Sequence, residues 1–274
     1  MRLTAGLIYL ASVTIISSAM ISATMISSAM ADRIQLYAAG SMKDALTAVA
    51  ERHEAASGDT VAAHYGASGL LKDEILGGAN AHVFASANMQ HPQTLHDRQR
   101  SGPVLRFARN TLCALVKPAL AVDSANLLDR LLDPNVKVGI STPQADPSGD
   151  YAIEVFRKAD LIRPGAQALL ERKALQLTGT ATSAKPPAGR AAYGWHIAEG
   201  HADIFLTYCT NARAAQQENP GQQTVALPDA LAVGADYGLT VMNGAPAAAQ
   251  RLADFIMSPQ GQQILAEHGF AAGK

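Results

Sequence analysis

Short apolar runs alternate along the chain with segments whose apolar residues recur every three to four positions. Residues 34–38, 61–65, 83–86, 112–116, 136–140, 204–208 and 237–242 read as strands, several of them fully buried. Residues 43–56 set Ala45, Leu46, Val49 and Ala50 on one face and predict a helix. Residues 70–76, 151–159, 247–256 and 262–268 also read as helices, with Val155 and Phe156 on one side of the second. Strands alternating with helices predict an α/β fold with largely parallel sheets. Lys185-Pro186-Pro187-Ala188-Gly189 predicts a loop, and Pro259 with Gly261 a break before the last helix.

The first 31 residues are a separate object. Arg2 is followed by an uncharged run through Met30, and Ala29-Met30-Ala31 fits the small-x-small rule of signal peptidase. Residues 1–31 therefore predict a secretory signal, and a mature chain starting at Asp32. The run is lengthened by an echo of Thr14–Met20 in Thr24–Met30. It is also long enough for an uncleaved anchor, a reading its many Ser and Thr residues disfavour. No second long apolar run follows, so a soluble periplasmic protein is expected. Export places Cys113 and Cys209 in an oxidising compartment, where they either pair or remain two buried thiols.

Composition narrows the function. With 48% hydrophobic and 16% charged residues, 274 residues sustain a large core and are not disordered. Lys and Arg number 22 against 23 Asp and Glu, and aromatics make up 5%, so a nucleic-acid surface is not expected.

The most informative feature recurs three times. Ala38-Ala39-Gly40-Ser41, Gly66-Ala67-Ser68-Gly69 and Asp146-Pro147-Ser148-Gly149 each place a serine among small residues where a helix begins. Free N–H groups and the positive dipole end suit an anion there, and the hydroxyl adds a donor. Small neighbours let a ligand approach the backbone. The plainer reading is that each serine caps its own helix.

Tyr37-Ala38-Ala39-Gly40-Ser41, Gly66-Ala67-Ser68-Gly69-Leu70, Val83-Phe84-Ala85-Ser86-Ala87, Val138 to Pro143, Asp146 to Tyr151 and Thr207-Tyr208 occur in that order. The series ends in Ser258 to Gln262 and Gly269-Phe270. In this order and spacing the chain resembles the periplasmic molybdate-binding proteins of ABC importers over nearly all of 32–274. The resemblance implies a two-lobed type II periplasmic binding protein, with its ligand clamped between lobes. Residues 32–109 with 240–274 would form lobe one and 110–239 lobe two, with crossing strands near 110–112 and 237–241. It implies that Ser41 and Ser68 each give a hydroxyl and an N–H to molybdate or tungstate. Ser148 would give a backbone N–H, with its hydroxyl in reserve, and Tyr208 its phenol. A further amide would fall near Gly189–Ala191. No enzymatic activity and no cofactor are implied. The partner is a membrane permease, and a monomer is expected.

Two residues depart from the family. His82 stands where an acidic residue is usual, and Arg190 lies in the ligand segment, either adding charge to the site or lying in solvent. A site of donors alone would disfavour protonated phosphate, whose O–H needs an acceptor.

Other readings are weaker. Gly66-Ala67-Ser68-Gly69-Leu70 misses the G-x-S-x-G elbow of a secreted serine hydrolase. His91/His96 and His196/His201 are five apart, which misses the zinc-binding i, i+4 pairing. No phosphate-binding glycine loop is present, so the chain is not an ATPase. A different cargo remains an alternative: sulfate, thiosulfate or a ferric ion, although the adjacent tyrosines that would signal iron are missing, Tyr193 and Tyr208 being well separated in sequence. Trp195 is read as packing rather than ligand stacking.

Overall fold

The computed structural model describes residues 32–273; the predicted signal, 1–31, lies outside them. The first half of the chain winds β1 (Arg33–Ala39), α1 (Lys43–Ser57), β2 (Thr60–Gly66), α2 (Ser68–Leu76), β3 (Val83–Ser86) and α3 (Gln90–Asp97). β1 pairs in parallel with β2 on one side and β3 on the other. Ile34, Leu36 and Ala38 of β1 are buried against Leu46 and Val49 of α1, which gives the two periods read in the sequence their common core.

β4 (Leu105–Val116) then runs out of this lobe into the next. The second lobe holds α4 (Leu127–Leu132), β5 (Val138–Ser141), α5 (Pro147–Ile162), α6 (Ala166–Lys173) and β6 (Leu175–Thr178). It continues through α7 (Ala192–Ala198), β7 (Ile204–Tyr208), α8 (Cys209–Glu218) and β8 (Gln223–Ala226). β9 (Gly234–Val241) returns, followed by α9 (Ala247–Met257), α10 (Pro259–Glu267) and the short β10 (Ala271–Ala272). The strand order is β2-β1-β3-β9-β4-β7-β5-β6, with β8 and β10 also on β4. Among the described residues no helix is long and apolar enough to cross a membrane.

The sheet is not largely parallel. β1–β2, β1–β3, β5–β6 and β5–β7 are parallel, but β9 meets β3 and β4 antiparallel, and β4 meets β7, β8 and β10 antiparallel. Arg106 to Thr111 pair with β9, and Leu112 to Val116 pair with β7 and β8, so one strand carries both halves. Only its apolar end is plain in the sequence, because Arg106, Arg109 and Asn110 interrupt the first part.

Cys113 of β4 and Cys209 of α8 are joined as a disulfide, with Cα atoms 4.8 Å apart. This settles the choice between a bridge and two thiols. His82 Nδ1 accepts the N–H of Gln35 at 3.1 Å, so His82 ties the start of β3 to β1. Burial holds its pKa below the usual histidine value, which keeps the ring a neutral acceptor.

His91 on α3 is buried, and its Nε2 has no partner. Burial first, then the neighbouring Lys72, lowers its pKa to about 4. The unfolded chain therefore takes up a proton near pH 6.5 that the fold resists. The stability due to neutral His91 is complete above that pH and is lost as pH falls towards 4. At about 1.4 kcal/mol per unit, the loss approaches roughly 3 kcal/mol. Urea unfolding at pH 7.5 and 4.5 is expected to show His91→Gln losing less stability than the parent by about that amount.

Candidate functional site

Ser41, Ser68, Gly189, Arg190 and Tyr208 line one cleft of about 580 Å³. Ser41 follows β1 in a short 3-10 turn, Gly40–Met42. Ser68 opens α2, and Tyr208 ends β7. None of the three serines caps a helix by its side chain. Ala67 holds the cap position of α2, Met42 that of α1, and Asp146 that of α5. Capping therefore does not account for them.

The hydroxyls are linked through the backbone of Ala87 and one buried tyrosine. Ser68 Oγ accepts the Ala87 N–H at 3.1 Å, which leaves its own proton free to donate. Tyr208 Oη donates to the Ala87 carbonyl at 3.3 Å, a long bond that a better acceptor can replace. Burial and the nearby Tyr237 push the Tyr208 phenol well above its usual pKa, so it stays a donor. Ser41 Oγ lies 3.1 Å from Tyr237 Oη, and the Tyr208 and Tyr237 rings are 5.5 Å apart. Tyr237 is a positioning residue the sequence reading missed. It sits in a strand pattern that marks it only as core.

The second lobe departs from the expected arrangement. Ser148 is fully buried and does not line the cleft. Its N–H is taken by Asp146 Oδ1 at 3.0 Å, and its Oγ has no partner. Asp146 itself lines the cleft. Burial raises its carboxyl to about 6 against the lowering effect of the Ser148 and Ser141 hydrogen bonds. Near Gly189, the Ala191 N–H is likewise taken, by Glu218 Oε2 at 2.7 Å. The expectation of an uncharged site of donors is thus wrong: Asp146 and Glu218 both face the cleft. Asp146 was legible in the Asp-Pro-Ser-Gly string as a helix-capping residue, but a cap is rarely read as a ligand group.

Arg190 pairs with Glu218, and its other end reaches Asn219 Oδ1 at 3.3 Å. Its charge is committed, so Arg190→Ala is expected to change anion affinity less than about threefold, as a charge already paired at an exposed rim contributes little. Titration of the variant checks this; a loss above tenfold would make Arg190 a ligand group.

Gly40 and Gly66 line the cleft, whereas Gly69 and Gly149 serve packing. A Cβ on Gly69 would lie 2.4 Å from the Gln144 carbonyl oxygen and 2.6 Å from that of Ala145. The Gly69 N–H donates to Ala145 O at 2.8 Å, joining the start of α2 to the loop before α5. A Cβ on Gly149 would lie 2.4 Å from Ser141 O. Trp195 packs on His196 and His201, with ring centroids 4.7 and 5.3 Å away, and is not among the cleft-lining residues.

The chain is 31% identical over 243 residues to an uncharacterized protein of Pasteurella multocida, covering 86% of this chain and 98% of that one. Its fold matches the periplasmic molybdate-binding protein of Azotobacter vinelandii with a TM-score of 0.69 at 20% identity, over 87% of this chain and 98% of that one. It also matches the sulfate-binding protein of Mycobacterium tuberculosis with a TM-score of 0.72 at 19% identity, over 88% and 87%. These proteins share the two-lobed type II periplasmic binding fold. Residues 34–271 match a sequence family throughout the described fold, and the chain belongs to that family, the bacterial extracellular solute-binding proteins.

Proposed function

We propose that this solute-binding protein captures a tetrahedral oxyanion, molybdate or tungstate, in the periplasm and presents it to the permease of an ABC importer. The predicted signal at 1–31 would deliver it there. The observation that carries this reading is the convergence of Ser41, Ser68 and Tyr208 on one cleft, from the ends of elements in both lobes. Each offers a neutral O–H, and an oxyanion held by such donors bridges the lobes. Because the bridge exists only when they meet, the ligand favours the closed form by its differential affinity. Fixed donors would hold a smaller anion such as sulfate by longer, weaker hydrogen bonds.

Closure gives the test. Gly69 has no room for a methyl group where it meets Gln144 and Ala145. Gly69→Ala is expected to lower molybdate affinity at least tenfold, with a melting curve of the unliganded variant separating lost closure from lost fold. Unchanged affinity would show that this approach of the lobes is not the ligand-binding state.

A ferric ion is the second reading, favoured by one observation. Tyr193 and Tyr208, distant in sequence, line the same cleft as Asp146. Burial raises the Tyr193 phenol above its usual pKa, and likewise Tyr208, which works against a phenolate–iron bond. A visible phenolate-to-iron absorption on adding ferric citrate would favour this reading over the first.

A further inference from the structure

Asp146 stands where an anion would be expected to sit. Its Oδ1 accepts the Ser148 N–H at 3.0 Å, at the start of a 16-residue helix. That N–H is the donor which the resemblance assigns to the oxyanion. Beside it, Ser148 Oγ is fully buried, with no hydrogen-bond partner among the described residues. So the carboxylate already occupies the N-terminal end of α5 in the cleft wall, and the unpaired Ser148 hydroxyl lies behind it, outside the cleft lining. An oxyanion entering this cleft meets a carboxylate in its wall. Two like charges so placed cannot both stay fully ionised.

We propose that Asp146 is a selectivity-determining residue that makes one shared proton an obligatory part of the occupied site. An oxyanion that carries a hydroxyl, such as hydrogen phosphate, brings that proton and donates it to Asp146. An aprotic dianion, such as molybdate or sulfate, binds only as Asp146 takes one proton from solution and donates it in turn. The inference rests on the oxyanion reading of the cleft and specifies its ligand class: anions that either bring a proton or are taken up with one.

The surroundings of Asp146 favour the protonated form. On its own helix Asp150 adds a like charge. Tyr193 of α7 and Tyr208 of β7, the titratable groups facing it from those elements, are neutral phenols. Ser141 of β5 and Thr178 of β6, 2.8 Å apart, bring no charge, and burial outweighs the Ser148 N–H and Ser141 hydroxyl, whose hydrogen bonds favour the ionised form. Along the cleft, Arg190 is paired with Glu218, and Lys43 and Asp44 of α1 lie together in the wall. Burial already raises the carboxyl to about 6 before any anion arrives, so a bound dianion moves it further up.

The experiment is calorimetric titration of the purified protein and of Asp146→Asn at pH 8, with molybdate, sulfate and inorganic phosphate. Each titration is run in two buffers of different ionisation enthalpy. Asn caps a helix as well as Asp, so the variant keeps its fold. An aprotic anion is expected to bind the parent with uptake of about one proton, and to weaken about tenfold per pH unit above pH 8. Asp146→Asn is expected to bind it with no proton uptake and flat pH dependence. If phosphate is the only ligand, the parent is expected to bind it without proton uptake, and the variant to lose at least tenfold. Binding of an aprotic anion to the parent without proton uptake, or equal uptake in both proteins, overturns the proposal and leaves the oxyanion reading standing. Phosphate-only binding that Asp146→Asn leaves unchanged does the same. Failure of all three anions to bind either protein overturns both.

Discussion

Replacing Ser41 and Ser68 together by alanine is expected to abolish oxyanion binding in the micromolar range. Each hydroxyl removed is a hydrogen bond to a charged ligand, worth about 1.5–3 kcal/mol. Two such losses amount to roughly two to four powers of ten in affinity. The two serines also act through different supports. Ser41 is held by Tyr237 at 3.1 Å, and Ser68 by the Ala87 N–H at 3.1 Å. The Ser68 change leaves that buried N–H unpaired, which lowers stability by about 1–3 kcal/mol. The Ser41 change leaves only a tyrosine hydroxyl that can turn to another partner. A melting curve beside the titration separates lost binding from lost fold. A double variant that is folded and still binds at micromolar concentration would remove both serines from the site.

Loss of the Cys113–Cys209 bridge is expected to have the largest effect on stability. The bridge spans 96 residues of sequence, so its absence releases a long loop in the unfolded chain. In the chain-entropy account such a loop corresponds to about 4–5 kcal/mol. For a protein of this size, that is a fall of roughly 10–20 °C in thermal midpoint. On the oxyanion reading, binding is coupled to the same bond, because Cys209 directly follows Tyr208. The bridge ties the end of β7 and the first turn of α8 to β4, the strand that carries both lobes. Cys113→Ala with Cys209→Ala is therefore expected to lower anion affinity severalfold as well as the midpoint. Scanning calorimetry with and without ligand reads both. A shift under 3 °C would mean that packing around Leu115 and Phe205, not the bridge, holds this region.

Much of the first lobe was legible because its elements are regular. The apolar period of residues 34–38 and the face of Ala45, Leu46, Val49 and Ala50 each report one buried surface. The second lobe was less so. Helices α4, α6, α7 and α8 were missed, because short segments such as Ala166–Lys173 expose most of their length and bury only Ala166 and Leu170. The start of β4 was missed because its outward residues are arginines. The antiparallel pairing of β4 and β9 has no local signature, since register across the sheet depends on residues more than a hundred positions apart. At the site, the order of small-residue strings brought Ser41, Ser68 and Tyr208 to one cleft in the reading and in the structure. What the strings could not show is that Asp146 and Glu218 take the second lobe's amides, because a carboxylate's partner is a fact of folding. The same limit hid Tyr193 beside Tyr208.

The central claim is that the cleft holds a tetrahedral oxyanion of molybdate size. Calorimetric titration of residues 32–274 with molybdate, tungstate, sulfate and phosphate tests it most directly. The account predicts one-to-one binding of molybdate and tungstate, with sulfate at least tenfold weaker. No heat of binding with any of the four would contradict the oxyanion reading, and sulfate or phosphate binding without molybdate would contradict the choice of cargo.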